Sequence, residues 1–104
     1  MKFTLRFLPE VEEDAIAGFT WYEEKAIGLG EEFLRMFYAY SAEISRNPQL
    51  FPKVYREFRR RLLRRFPYAI YYRIEAEQVV VLGLFHCARD PRSIRAKLLV
   101  RDEP

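Results

Sequence analysis

The chain has 104 residues, half of them hydrophobic and 16% aromatic, enough for one packed domain spanning 1–104 and too few for two. Its single cysteine, Cys87, excludes an internal disulfide and any multi-cysteine metal site, and points to a reducing cytoplasm. The net charge of +3 conceals a split: residues 1–46 carry five basic and nine acidic side chains, residues 47–104 thirteen and six, which points to an anionic partner for the second half.

Phe3, Leu5 and Phe7 alternate with Lys2, Thr4 and Arg6, a period of two that predicts a half-buried strand and is no signal peptide. Pro9 follows at a position where its missing N–H costs nothing, and Glu10, Glu12, Glu13 and Asp14 suit the positive end of a helix. Val11, Ala15, Phe19 and Tyr22 form that helix's apolar stripe, with Trp21 expected beside them. Gly28-Leu29-Gly30 breaks it. Leu29, Phe33, Met36, Phe37, Tyr40 and Ile44 mark a second helix ending before Asn47-Pro48, so the two form an antiparallel hairpin. After a loop to Pro52, Tyr55 to Phe66 is dense in arginine, and Pro67 predicts a turn or bulge. Tyr68–Ile74 and Val79–His86 are strands joined through Glu75-Ala76-Glu77-Gln78. Val79 to Phe85 is apolar on both faces, which places it inside the sheet and is far too short to span a membrane. The expected class is α+β: an N-terminal strand, a helical hairpin and a three-stranded antiparallel meander, the helices packed on one face of the sheet.

Six arginines fall within ten residues: Arg56, Arg59, Arg60, Arg61, Arg64 and Arg65. Strand alternation puts Arg59, Arg61 and Arg65 on one face with Leu63, and Arg60 and Arg64 on the other with Phe58, Leu62 and Phe66. Such a strand either protects a sheet edge or binds an acidic partner or phosphate, and its arginine density favours binding. His86, the one histidine, is suited to general acid–base work beside arginines; the alternative is a structural hydrogen bond to Asp90 or a carbonyl. Arg89-Asp90-Pro91 reads as a turn in which Asp90 accepts from a nearby N–H or pairs with Arg92 or Arg95. Cys87 is expected as a small buried residue. Tyr68, Tyr71 and Tyr72 suit core packing or, on a basic face, base stacking. Neither a phosphate-binding glycine loop nor a hydrolase motif occurs, and no cofactor or metal is expected. Residue chemistry alone stops at a basic α+β binding domain, with a small nuclease as the other option.

Trp21-Tyr22-Glu23, Gly28-Leu29-Gly30 with Phe33, Asn47-Pro48, Arg61-Leu62-Leu63, Phe66-Pro67-Tyr68 and His86-Cys87-Ala88-Arg89-Asp90-Pro91 occur in this order. Together they resemble the RelE/ParE family of toxins of type II toxin–antitoxin systems, from the first strand to about residue 97. The resemblance implies the same fold and a hetero-oligomer with a cognate antitoxin. It also implies one of two targets: messenger RNA on the ribosome, which is cleaved, or DNA gyrase, which is poisoned by binding. The signatures look more like the gyrase-directed, ParE-like branch, with Arg59, Arg61, Arg64, Arg65, Arg89, Arg92, Arg95 and Lys97 as contacts for target or antitoxin. On the nuclease alternative, Arg61 and Arg65 hold phosphate and His86 moves the proton. Lysines are scarce near the basic strand, where only Lys53 lies, and no tyrosine follows His86. Ile94 stands where the family often has an aromatic, with Lys97 as the basic residue after it. A third reading is a non-toxic module that only sequesters an antitoxin.

Overall fold

The computed structural model describes residues 3–103. They form β1 (Thr4–Phe7), α1 (Pro9–Lys25), α2 (Leu29–Arg46), a 3-10 turn (Pro48–Leu50), β2 (Lys53–Tyr55), β3 (Phe58–Leu62), β4 (Tyr68–Glu75), β5 (Gln78–His86) and α3 (Pro91–Arg101). One five-stranded sheet has the order β1-β5-β4-β3-β2, with β1 parallel to β5 and the other pairs antiparallel. The expected α+β class, first strand, helical hairpin and meander (β3, β4, β5) are all present. Lys2, assigned to the first strand by its alternation, lies outside the described residues. Among the described residues, no helix is long and apolar enough to cross a membrane.

The helical hairpin is closed by one carboxylate. Glu23, in the last turns of α1, accepts from the backbone N–H of Gly28 at 2.9 and 3.1 Å and of Gly30 at 3.0 Å. Gly28 sits at φ 89°, a left-handed conformation costly for any residue with a Cβ. Two otherwise unpaired donors at the start of α2 are thereby satisfied from α1. The apolar face of the hairpin buries Val11, Ala15, Phe33, Phe37 and Ile44 against Ile70, Tyr72, Val79 and Val81 of the sheet. Full burial of each such side chain contributes roughly 1.5–3 kcal/mol. Tyr22 joins an aromatic cluster with Phe33, Phe66 and Tyr68. Trp21, expected on the same face, is instead 54% exposed, with the Lys25 ammonium 4.0 Å from its ring centre. One residue before Tyr22, it is turned by about 100° off the buried stripe.

β5 is an interior strand, as its continuous apolar run predicts, and Val79 to Phe85 is buried throughout. Its alternation is reset by a bulge: Tyr71 pairs with Gly83 but Tyr72 with Val81, leaving Leu82 unpaired in the register. Val79, Val81 and Leu84 therefore face the hairpin, while Val80, Leu82 and Phe85 face the opposite side. Phe85 folds back over Gly83, where a Cβ would lie 2.4 Å from its ring.

Three features differ from the sequence-based expectation. The arginine-dense segment is two strands, because Arg56 (φ 51°) turns the chain between β2 and β3. Regular alternation also ends at Leu62, and through the irregular residues 63–67 both Leu63 and Phe66 turn beneath the hairpin. Finally, the residues after Asp90 form α3, which packs Ile94 and Leu98 on the second sheet face against Phe58, Tyr71, Val80, Leu82 and Phe85.

β1 covers β5 only as far as Phe7 opposite Val81. Beyond it two side chains complete the bare edge. The Leu84 N–H donates to Asp14 of α1 at 3.1 Å, and Arg101 of α3 donates to the Leu82 carbonyl at 2.9 Å. Asp14 and Arg101 also pair with each other at 2.6 and 3.1 Å, with side chains 13% and 12% exposed. The two helical layers are thus tied together around the end of β1.

Candidate functional site

The structure sorts the arginines into those already partnered and those that are not. Arg59 donates to the carbonyls of Phe51 at 2.6 Å and Gln49 at 3.3 Å, holding the 3-10 turn against β3. Arg61 pairs with Glu43 of α2 at 3.0 Å and lies over the rings of Tyr40 and Phe51 at 4.4 and 4.7 Å. Arg65 makes a forked pair with Glu32 of α2 at 2.8 and 3.2 Å. Arg73 is held by Asp102 and Glu75, and Arg101 by Asp14. By contrast Arg60, Arg64, Arg89, Arg95 and Lys97 make no ion pair among the described residues, and exposed Arg92 reaches only Asp90, at 3.4 Å.

His86, Arg61 and Arg65 are not brought together by hydrogen bonds. Both arginines are committed to acids of α2, whereas His86 ends β5 opposite Tyr68. The His86 ring stands 5.2 Å from that of Tyr68 at an interplanar angle of 71°. Its Nδ1 accepts from the Ala88 N–H at 2.9 Å, an arrangement that puts the proton of the neutral ring on Nε2. The structural partner expected from Asp90 or a carbonyl is therefore a backbone N–H. Asp90 itself caps α3, accepting from Arg92 N at 2.9 Å, as its place in the turn predicts. Burial pushes the Tyr68 hydroxyl above its usual range, partly offset by the nearby Arg89, with Asp14 adding to the rise. Tyr68 is the tyrosine that a linear reading misses beside His86, since cross-strand pairing and not sequence order supplies it.

Cys87, expected to be buried, is exposed. β5 has ended at His86, and the Cys87 N–H is tied to the Pro67 carbonyl at 2.7 Å, which leaves the thiol at the mouth of a cavity. That cavity, about 320 Å³, lies between β2, β3 and α3 and gathers Arg60, Arg89 and Arg95 with Tyr55, Tyr71 and Cys87. Tyr71 and Tyr72 are core residues, and Tyr68 is half-buried.

A second surface is apolar. Phe7, Ile16, Phe19, Leu34 and Tyr38 line a trough of about 640 Å³ between the end of β1 and the helical hairpin. Ile16 and Tyr38 are 56% and 53% exposed there. An open trough of this composition is what protein-binding surfaces present.

Residues 5–91 match the family described as ParE toxin of type II toxin-antitoxin system, parDE. Among individual relatives, Toxin ParE2 of Mycobacterium tuberculosis, in two strains, is 26% identical over 95 residues, which is 90% of each chain. Two solved structures share the fold. A chain of the chromosomal ParDE toxin–antitoxin system from P. aeruginosa superimposes with a TM-score of 0.69 at 14% identity, covering 82% of this chain and 96% of that one. A chain of the toxin–antitoxin complex RelBE2 from Mycobacterium tuberculosis gives 0.56 at 21% identity, covering 83% and 99%.

Proposed function

We propose that this chain, which belongs to the ParE toxin family of type II toxin–antitoxin systems, arrests growth in the cytoplasm by binding DNA gyrase and is neutralised by a cognate antitoxin. The observation that supports the gyrase reading is the pairing of Arg61 and Arg65 with Glu43 and Glu32, which directs both guanidiniums to acids of α2 and not to a phosphate beside His86. The unpaired cations Arg64, Arg89, Arg95 and Lys97, with Arg92 only loosely paired to Asp90, are exposed and suited to steering an acidic macromolecule. For the antitoxin, the trough around Ile16 and Tyr38 suits an amphipathic helix with its apolar side inward.

The test is a pulse-labelling time course after induction in bacteria lacking the antitoxin, with purified chain added to a gyrase supercoiling assay in parallel. Thymidine incorporation should fall before methionine incorporation, and supercoiling should stop. His86→Ala should retain toxicity within about twofold, since removing a side chain that does no chemistry leaves the binding surface intact. An early fall in methionine incorporation, abolished by His86→Ala, would instead support the second reading, a ribosome-dependent endoribonuclease. One observation favours that reading: Tyr68 beside His86, with Arg89 close enough to act on the tyrosine hydroxyl. For the antitoxin, Ile16→Glu with Tyr38→Glu should weaken binding at least about tenfold, because charges buried in an apolar contact cost several kcal/mol. Unchanged affinity in a pull-down titration would remove the trough from the interface.

A further inference from the structure

The cavity between β2, β3 and α3 adds Arg60, Tyr71 and Cys87 to two of the exposed cations, Arg89 and Arg95. Three guanidiniums, those of Arg60, Arg89 and Arg95, line it, and its lining contains no carboxylate. None of the three makes an ion pair among the described residues. Elsewhere on this sheet face Arg73 is neutralised by Asp102 and Glu75, and Arg101 by Asp14. Here aromatic faces lie beside the guanidiniums instead. Arg89 lies 5.1 Å from the Phe85 ring centre, and Arg95 lies 5.1 Å from that of Tyr55. Aromatic packing fixes a guanidinium without neutralising it, so its donors and charge remain available. Tyr71 lines the same cavity, is 4% exposed, and its hydroxyl makes no hydrogen bond among the described residues. That hydroxyl can donate to an anion entering the cavity, beside cations that can only donate.

We propose that this cavity is a phosphate site, taking the phosphate of a nucleotide or a backbone phosphate of a nucleic-acid strand. Each guanidinium offers a planar fork of donors, and a phosphate presents enough oxygens to meet several forks at once. A single carboxylate, with two oxygens and one charge, leaves donors unmatched. The volume of about 320 Å³ also exceeds what a carboxylate side chain fills, leaving room for the sugar that carries the phosphate. Arg89 and Arg95 belong both to this cavity and to the exposed cationic surface assigned above to the target, whereas Arg60 belongs to the cavity alone.

Cys87, the one cysteine of the chain, lines the cavity and reports on its occupancy. The experiment measures alkylation of Cys87 in the full-length chain by N-ethylmaleimide at low salt. Inorganic phosphate, adenosine monophosphate, a 5′-phosphorylated decathymidylate and a decaglutamate peptide are the probes. Saturating phosphate probes should slow alkylation by at least about fivefold through occupancy of the mouth. Protection by the monophosphate alone identifies a nucleotide site; protection by the oligonucleotide at lower concentration identifies a strand. Arg60→Gln with Arg89→Gln should abolish protection, whereas Arg56→Gln, nearby but outside the cavity, should leave it. If the double variant loses its circular-dichroism signature, Arg60→Lys replaces it: the charge stays, the fork goes, and protection should fall. The proposal is overturned if no phosphate probe protects, if only decaglutamate does, if Arg56→Gln removes protection equally, or if Arg60→Lys protects as well as wild type.

Discussion

Two acidic residues of the first helix perform jobs that their place in the sequence does not announce. Glu23 carries the turn between the helices, and Asp14 completes the edge of β5 while pairing with Arg101. Removing Asp14 leaves a mostly buried guanidinium without its counter-charge, held only by the Leu82 carbonyl, and leaves the Leu84 N–H without a partner. Asp14→Ala should therefore cost about 3–5 kcal/mol in urea unfolding, a range typical of one-sided disruption of a buried pair. A loss comparable to an exposed pair would mean that the edge is rebuilt by water. Gly28→Ala is a milder probe. Its left-handed φ should cost about 1–2 kcal/mol in the same measurement, with nothing within 4 Å of the added methyl to add to it. At this scale the sequence shows which residues matter in outline. Trp21-Tyr22-Glu23 and Gly28-Leu29-Gly30 stand out as signatures, but that Glu23 binds the two glycine amides depends on how α1 and α2 meet.

Among the elements, α3 is the one that a strand-and-hairpin reading misses, though its signals are present. Asp90 caps it, Pro91 opens it, and Ile94 and Leu98 sit four residues apart on its buried side. With only those two positions buried, its apolar stripe is too narrow to stand out among Arg92, Arg95, Lys97 and Arg101. Ile94, where the family resemblance leads one to expect an aromatic, is thereby a core residue of the second sheet face. Leu98→Ala should cost about 2–5 kcal/mol, the usual range for emptying a buried leucine site. A value below that range in urea unfolding would show that α3 is only loosely docked. The β-strands were more legible. The apolar run of β5 fixes its interior place, whereas alternation is lost after the end of β3, where Arg65 adopts φ 74° and Phe66 turns inward. No residue type in Leu63–Pro67 except the proline signals that departure.

Viewed as a whole molecule, the charge split of the sequence is partly cancelled by folding. Glu43, Glu32 and Asp14 from the acidic half neutralise Arg61, Arg65 and Arg101 from the basic half. The candidate site is therefore smaller than the count of arginines implies, and Arg60 belongs to it while Arg59 and Arg61 are engaged elsewhere. Which arginines remain free depends on long-range pairing that residue order cannot reveal. The buried tyrosines give the fold a common alkaline limit. Burial pushes the Tyr72 hydroxyl up to about 12, despite the lowering influence of Arg59 and Arg61, and also raises Tyr22 and Tyr68. In the unfolded chain these phenols lose their protons near 10, so above that pH the unfolded state binds fewer protons than the native one. Stability should be fully present below about pH 10 and be lost as pH rises through about 12. Urea titrations across that window check it, and Tyr72→Phe should flatten the slope while forfeiting the hydrogen bond to the Pro48 carbonyl.

The pairing of β1 with β5 also has a consequence in time. Thr4 finds its strand partner only at Gln78, and Phe7 only at Val81, so β1 waits through synthesis for β5, the last of the five described strands. The helical hairpin has local contacts and can form early, but the sheet beneath it cannot close until β5 has emerged. Asp14 likewise waits for Arg101. A growing chain therefore lacks the sheet cover of Val11, Phe33 and Phe37 until β5 has emerged.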